Sequence, residues 1–188
     1  MHMKKKDCLI VALAPLPVLL VPLVGNVTVK GWNWHWNDFV FAWVILAVAT
    51  LVYRLIATSK FANLTYKLGA ALAVLAGFFI VWVTAAVRII GEENPGNILY
   101  GAVILTGLIG VGLSRFQPAA LARASFATAL VTFLVPVIAV IFWPSDFSPG
   151  VAKVFLLNGA FAAMFAGAGL LFRHAAGQAS RSGSAATA

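Results

Sequence analysis

The chain has 188 residues, of which 62% are hydrophobic and only 10% charged, with a mean hydropathy of +0.99. Soluble domains carry about 25% charged residues, so this composition cannot cover a water-facing surface, and a soluble enzyme or binding domain is excluded. The net charge of +8 does not indicate nucleic-acid binding, because the basic residues are dispersed over separate loops rather than gathered on one base-reading surface; cytoplasmic loops and anionic headgroups account for them.

At roughly 20 residues per span the length accommodates about six transmembrane helices, and the fold class expected is an all-α polytopic membrane helix bundle. Residues 1–174 read as a single transmembrane helical domain, and residues 175–188 as a disordered cytoplasmic tail of Ala, Ser and Gly with Arg181. The only cysteine, Cys8, leaves no intrachain disulfide and no cysteine-rich metal site.

The first span, Cys8 to about Gly25, follows the basic start Lys4-Lys5-Lys6. It resembles a signal peptide, but the run is long and lacks a small-x-small cleavage site before Asn26, so it reads as an uncleaved span; Met3 is an alternative start. Pro15, Pro17 and Pro22 remove backbone donors and predict a kink. The carbonyls they free need a neighbouring helix or water, so this helix is expected to pack against protein. A polar hairpin follows, Trp32-Asn33-Trp34-His35-Trp36-Asn37-Asp38-Phe39, with Asn37 or Asp38 placed to cap span two, about Asp38–Ala57.

Span three is about Tyr66–Ile90. The next hairpin, Gly91-Glu92-Glu93-Asn94-Pro95-Gly96-Asn97, holds two of the chain's five acids. Asn94-Pro95 offers an N-cap followed by proline at the first helical position, which starts span four, about Asn97–Ser114. Gln117-Pro118 starts span five, about Ala119–Trp143, and Ser148-Pro149 starts span six, about Pro149–Phe172.

With the N-terminus inside, ten basic residues (Lys4, Lys5, Lys6, Arg54, Lys60, Lys67, Arg115, Arg123, Arg173 and Arg181) fall on the cytoplasmic side and three (Lys30, Arg88 and Lys153) outside. The positive-inside rule therefore predicts an N-in, C-in arrangement. Asp38, Glu92, Glu93 and Asp146 fall outside, and Asp7 inside.

Small residues recur every fourth position: Gly69, Ala73 and Gly77 in span three; Thr106, Gly110 and Ser114 in span four; Ala120, Ala124, Thr128 and Thr132 in span five; Gly159, Ala163 and Gly167 in span six. Such stripes let helix backbones approach closely. Polar groups at depth are limited to hydroxyls, expected to bond back to the preceding turn, and Asn158, expected to bond to a neighbouring helix. The absence of ionisable groups near the midplane counts against an ion-coupled transporter or a proton pump.

The candidate ligand-binding residues are those of the outer face: Trp34, Asp38, Arg88, Glu92, Glu93, Asn94 and Asn97. Arg88 and Glu92 stand four apart and would pair if the helix continues that far. His35 is a weak metal candidate, lacking a partner at fixed spacing. His2 and His174 read as solvated. Trp32, Trp34, Trp36, Trp43 and Trp143 fit an interfacial aromatic belt. No nucleophile–base pair, phosphate loop or zinc-protease pattern is present, so no catalytic residue and no cofactor are assigned.

Trp34-His35-Trp36-Asn37-Asp38-Phe39 and Ile90 to Tyr100, together with Arg115-Phe116 and Arg123, resemble an uncharacterised family of small bacterial multi-pass inner-membrane proteins. These carry a tryptophan-to-Asp-Phe hairpin, an Ile-Gly-acidic-Asn-Pro-x-Asn hairpin and an Arg-Phe cytoplasmic turn. The resemblance covers roughly residues 34–127, and the chain departs from it at Thr84 and Arg88, where asparagine and glycine are expected. It implies a bacterial inner-membrane location and no particular activity. The function expected is that of a non-enzymatic structural or accessory membrane subunit, whose partners are the lipid bilayer and a second copy or another membrane protein. The alternative is a transporter or channel for a small solute, with an outer vestibule and a path reaching Thr128 and Thr132.

Overall fold

A computed structural model describes residues 5–144, 147 and 149–185. The helices are α1 (Lys5–Leu13), α2 (Pro15–Thr28), α3 (Trp36–Ala57), α4 (Leu64–Val87), α5 (Leu99–Ser114, preceded by a 3₁₀ turn over Pro95–Ile98), α6 (Pro118–Phe142) and α7 (Val151–Ala185). Six segments are long and apolar enough to cross a membrane, with α1 and α2 together forming the first. The fold is all-α, with no strand among the described residues.

The single domain expected over 1–174 divides into two compact units, Met1–Leu55 and Ile56–Ala188. In the first, the chain breaks between α1 and α2 at Ala14. Pro15 and Pro17 are the physical cause, since neither has an N–H to donate to the preceding turn. The Trp43 indole of α3 donates to the Ala12 carbonyl beside the break at 3.1 Å, a polar link between neighbouring helices. Trp43 is thus a clamp, whereas Trp36, at 79% exposure, remains open like a belt residue. Asp7 of α1 and Arg54 of α3 form a largely covered ion pair, and Trp32 lies against the bare backbone of Gly25.

In the second unit α6 and α7 share the broadest interface, with α4 against α7 and α5 against α6. Ile80 of α4, Val103 of α5, Ala139 of α6 and Phe165 of α7 meet in its core. The stripes explain the closest approaches only in part. A Cβ at Gly110 would stand 2.6 Å from Ala124 Cβ, and one at Gly69 3.3 Å from the Ala168 carbonyl. Gly159 meets nothing within 4 Å, while Gly169, outside the stripes, takes the Phe126 ring at 3.0 Å.

Helix α7 begins at Val151 rather than Pro149, after Gly150 at φ 89°; Ser148 and Asp146 lie outside the described residues. Its other end corrects the expected disordered tail. Helix continues from Ala175 to Ala185, and residues 186–188 lie outside the described residues. Two causes act there: alanine is the best helix former, and Ala175 is buried while Gln178 accepts from Asn63 Nδ2 at 2.8 Å.

Candidate functional site

The residues expected to form an outer site fall into two constellations, one in each unit. In the N-terminal unit, Asn26 holds the loop after α2 by two bonds to one residue. Its Oδ1 accepts from Trp34 N at 2.9 Å and its Nδ2 donates to Trp34 O at 3.2 Å. The Trp34 ring meets Phe39 edge-on at 5.2 Å between centroids. His35 precedes the first turn of α3, and Asp38 Oδ2 accepts from His35 N at 2.7 Å, which is half of a capping box. Asp38 thus caps α3 by reaching back over the first turn, and its charge suits the positive end of the helix. His35 Nδ1 is 4.0 Å from Asp38 Oδ2, with both side chains more than half exposed. Among the described residues no three His, Cys, Asp or Glu side chains gather.

The second constellation is the hairpin from Arg88 to Ile98. Helix α4 ends at Val87, so the Arg88–Glu92 pairing that depends on continued helix does not form. Arg88 Nη1 donates instead to the Glu92 backbone carbonyl at 2.7 Å. The carboxylates of Glu92 and Glu93 are exposed, with no ion-pair partner among the described residues. Asn94, at 2% exposure, caps the 3₁₀ turn by accepting from Gly96 N at 2.8 Å. Asn97 uses its whole amide: Nδ2 donates to Gly91 O at 2.7 Å and Asn94 O at 2.9 Å, and Oδ1 accepts from Ile90 N at 3.3 Å. A Cβ on Gly96 would meet Asn94 Oδ1 at 2.8 Å and Ala139 Cβ of α6 at 3.1 Å. The hairpin is therefore seated on α6 through a bare backbone, with the Asn97 amide and the Asn94 Oδ1 bonded to its own turns.

Two positions at the end of α4 are strained or unsatisfied. Arg88 has φ 47°, a region that costs a side-chain-bearing residue about 1 kcal/mol or more and costs glycine nothing. Thr84 Oγ1 is buried without a hydrogen-bond partner among the described residues.

Thr84 thus lacks the back-bond expected of a deep hydroxyl, whereas other deep polar groups have specific partners. Thr50, Thr106, Thr128 and Thr132 each donate to the carbonyl four residues back, at 2.7–2.9 Å. Asn158 Nδ2 donates to the Tyr100 hydroxyl at 2.8 Å and to Val154 O at 2.9 Å, joining α7 to α5 as expected of a buried amide.

At the opposite end of α4 lies a polar set that the outer-face reading overlooked. Asn63 caps α4, its Oδ1 accepting from Tyr66 N at 2.8 Å, and its Nδ2 reaches Gln178. Gln178 Nε2 lies 3.1 Å from His174 Nε2, so His174 is engaged rather than simply solvated; His2 lies outside the described residues. Tyr66 is buried, donates to Phe116 O at 2.8 Å and meets the Phe172 ring edge-on at 5.3 Å. It ties α4 and α7 to the α5–α6 turn, where Arg115 and Phe116 both have positive φ. Asparagine directly before the apolar run of α4 is a legible cap signal; its link to Gln178, 115 residues away, has no local signature.

No protein-family model, curated protein or solved structure matches this chain.

Proposed function

We propose that the chain is a non-enzymatic structural or accessory subunit of a bacterial inner membrane, with both termini on the cytoplasmic side. The observation that carries this reading is the state of the hydroxyl stripe on α6. A solute path would use Thr128 and Thr132, yet they are 2% and 0% exposed and donate to their own helix. Thr128 also lies 3.8 Å from the position a Cβ on Gly107 would take, so the stripe serves close packing of α5 on α6. Support also comes from the outer hairpin, where the Asn97 amide and the Asn94 Oδ1 are bonded to its own backbone. The orientation rests on the ten-to-three division of basic residues, and six candidate spans among the described residues are compatible with it. The partner is a second copy or another membrane protein.

The test uses Cys8→Ser protein carrying Thr132→Cys or, as an outer control, Glu93→Cys. A polar thiol reagent is expected to label the control and leave position 132 unreacted, and crosslinking after gentle extraction is expected to trap an oligomer or a partner. Labelling at 132 to the level of the control would replace this reading by the transporter alternative. A monomer with nothing crosslinked would remove the accessory-subunit role.

A further inference from the structure

From Val154 to Phe172, helix α7 runs for 19 residues without a charged side chain. At 1.5 Å per residue that is about 29 Å, close to the roughly 30 Å thickness of a hydrocarbon core. Lys153 and Arg173 therefore mark its two edges, whichever way the helix is oriented. At the Arg173 edge the surface of α7 opens into a notch of about 360 Å³, lined by Leu170, Arg173, His174, Gly177 and Gln178. That volume is at the small end for a ligand cleft and suits a headgroup better than a large solute. Gly177 creates the depression, since a Cβ there would meet nothing within 4 Å.

The hydrogen-bond chain beside the notch has only one consistent direction. The Tyr66 backbone N–H can only donate, and it donates to Asn63 Oδ1. This orients the Asn63 amide, so Nδ2 donates to Gln178 Oε1. Gln178 is oriented in turn, so its Nε2 donates to His174 Nε2. A ring nitrogen that accepts belongs to a neutral imidazole with its proton on the other nitrogen. His174 thus retains an Nδ1–H donor, and Arg173 adds a guanidinium with five donors and no acceptor. No carboxylate pairs with Arg173 among the described residues. A notch at the hydrocarbon edge that offers cationic and neutral donors, with the exposed Leu170 one turn deeper, is complementary to an anion carried on an apolar tail.

We propose that this notch binds the phosphodiester headgroup of an anionic phospholipid. Arg173 and His174 Nδ1–H donate to the phosphate oxygens, and Leu170 packs against the glycerol end of the chains.

The test reconstitutes the full chain in phosphatidylcholine bilayers doped with phosphatidylglycerol, then counts by native mass spectrometry the phosphatidylglycerol retained on mild extraction. Wild-type protein is expected to retain it in preference to phosphatidylcholine. Arg173→Gln is expected to lower retention roughly tenfold, the scale of one charge-assisted hydrogen bond. Gly177→Leu should lower it similarly by filling the notch with all charges intact, and the open space at that position lets the variant fold. Lys153→Gln, at the other hydrocarbon edge, should retain wild-type levels, and excess inorganic phosphate should not displace the lipid. Retention unchanged in both Arg173→Gln and Gly177→Leu would overturn the proposal. So would an equal loss in Lys153→Gln, which would mean that any boundary charge suffices, or displacement by phosphate, which would mark a free-anion site.

Discussion

The N-terminal unit and the four-helix unit hold membrane helices together by different means. In Met1–Leu55 the first helix is broken by proline, and polar side chains secure it: Trp43 on the Ala12 carbonyl, Arg54 on Asp7, and Asn26 on the Trp34 backbone. Only 11% of the first span and 17% of the second is buried. In Ile56–Ala188 the helices approach through small residues, and burial reaches 33% in α6 and α7, with α4 and α5 at the 17% of the second span. The contrast has a physical basis. In lipid, apolar side chains gain little by exchanging hydrocarbon for protein, so association depends on close backbone packing or on polar groups with no alternative partner. A proline-broken helix exposes carbonyls and so favours the second means.

The largest effect expected is at the α5–α6 seam. A Cβ on Gly110 already collides with Ala124, so Gly110→Leu should cost about 3 kcal/mol or more through overpacking, read as a large fall in the monodisperse fraction and melting temperature. Gly110→Ala should be milder, and Ala124→Gly should restore it. Gly112→Ala, on the same helix with open space at its Cβ, should be neutral. If Gly112→Ala harmed stability as much as Gly110→Ala, the seam would not be what holds this unit.

Next in size are the polar links. Asn158→Leu leaves the Tyr100 hydroxyl without its partner on α7 and should cost about 1–3 kcal/mol. Adding Tyr100→Phe should recover part of that loss, so a double-mutant cycle by thermal unfolding measures the coupling. In the N-terminal unit, Asp7→Asn should leave Arg54 short of its anion and cost about 1–3 kcal/mol. Proteolysis of the N-terminal segment is the readout, and Asp7→Asn with Arg54→Gln should lose less than Asp7→Asn alone. The polar-clamp description of this unit fails if Asp7→Asn leaves its protease sensitivity unchanged.

Smaller still is Trp43→Phe, which keeps the ring and removes the donor to Ala12. Loss of one such bond should cost about 1 kcal/mol and raise hydrogen exchange around the α1–α2 break. An unchanged exchange pattern would mean that water or lipid headgroups can serve the same carbonyl.

The legible parts of this fold are those encoded locally. Six apolar runs of membrane length, the proline break, the Asn94 cap and the hydroxyls bonded to their own helix all follow from residues within a turn or two of each other. The Arg88–Glu92 pairing is conditional on five more residues of helix, and α4 ends at Val87. Asp38 was recognised as a capping residue, but its reach back to His35 N depends on where the first turn begins. The tail was read from low-complexity composition, which does not register that Ala175 has a core to enter and Gln178 a partner on α4. The small-residue stripes identified Gly110 and Gly69 but also Gly159, which faces open space, because a stripe fixes a helix face and not its neighbour.

The sequence by itself determined the solvent. With so few charges and such long apolar runs, the backbone must satisfy itself within helices, and the positions of Lys and Arg predict which side each loop occupies. The tertiary structure decided which polar groups were free. It committed Asn94, Asn97, Thr128 and Thr132 to their own backbone, and it joined Asn63, Gln178 and His174 across the four-helix unit. The reason is range: capping and hydroxyl back-bonding act over three or four residues, whereas the partner of a buried amide is set by which helices pack together, and no local pattern encodes that.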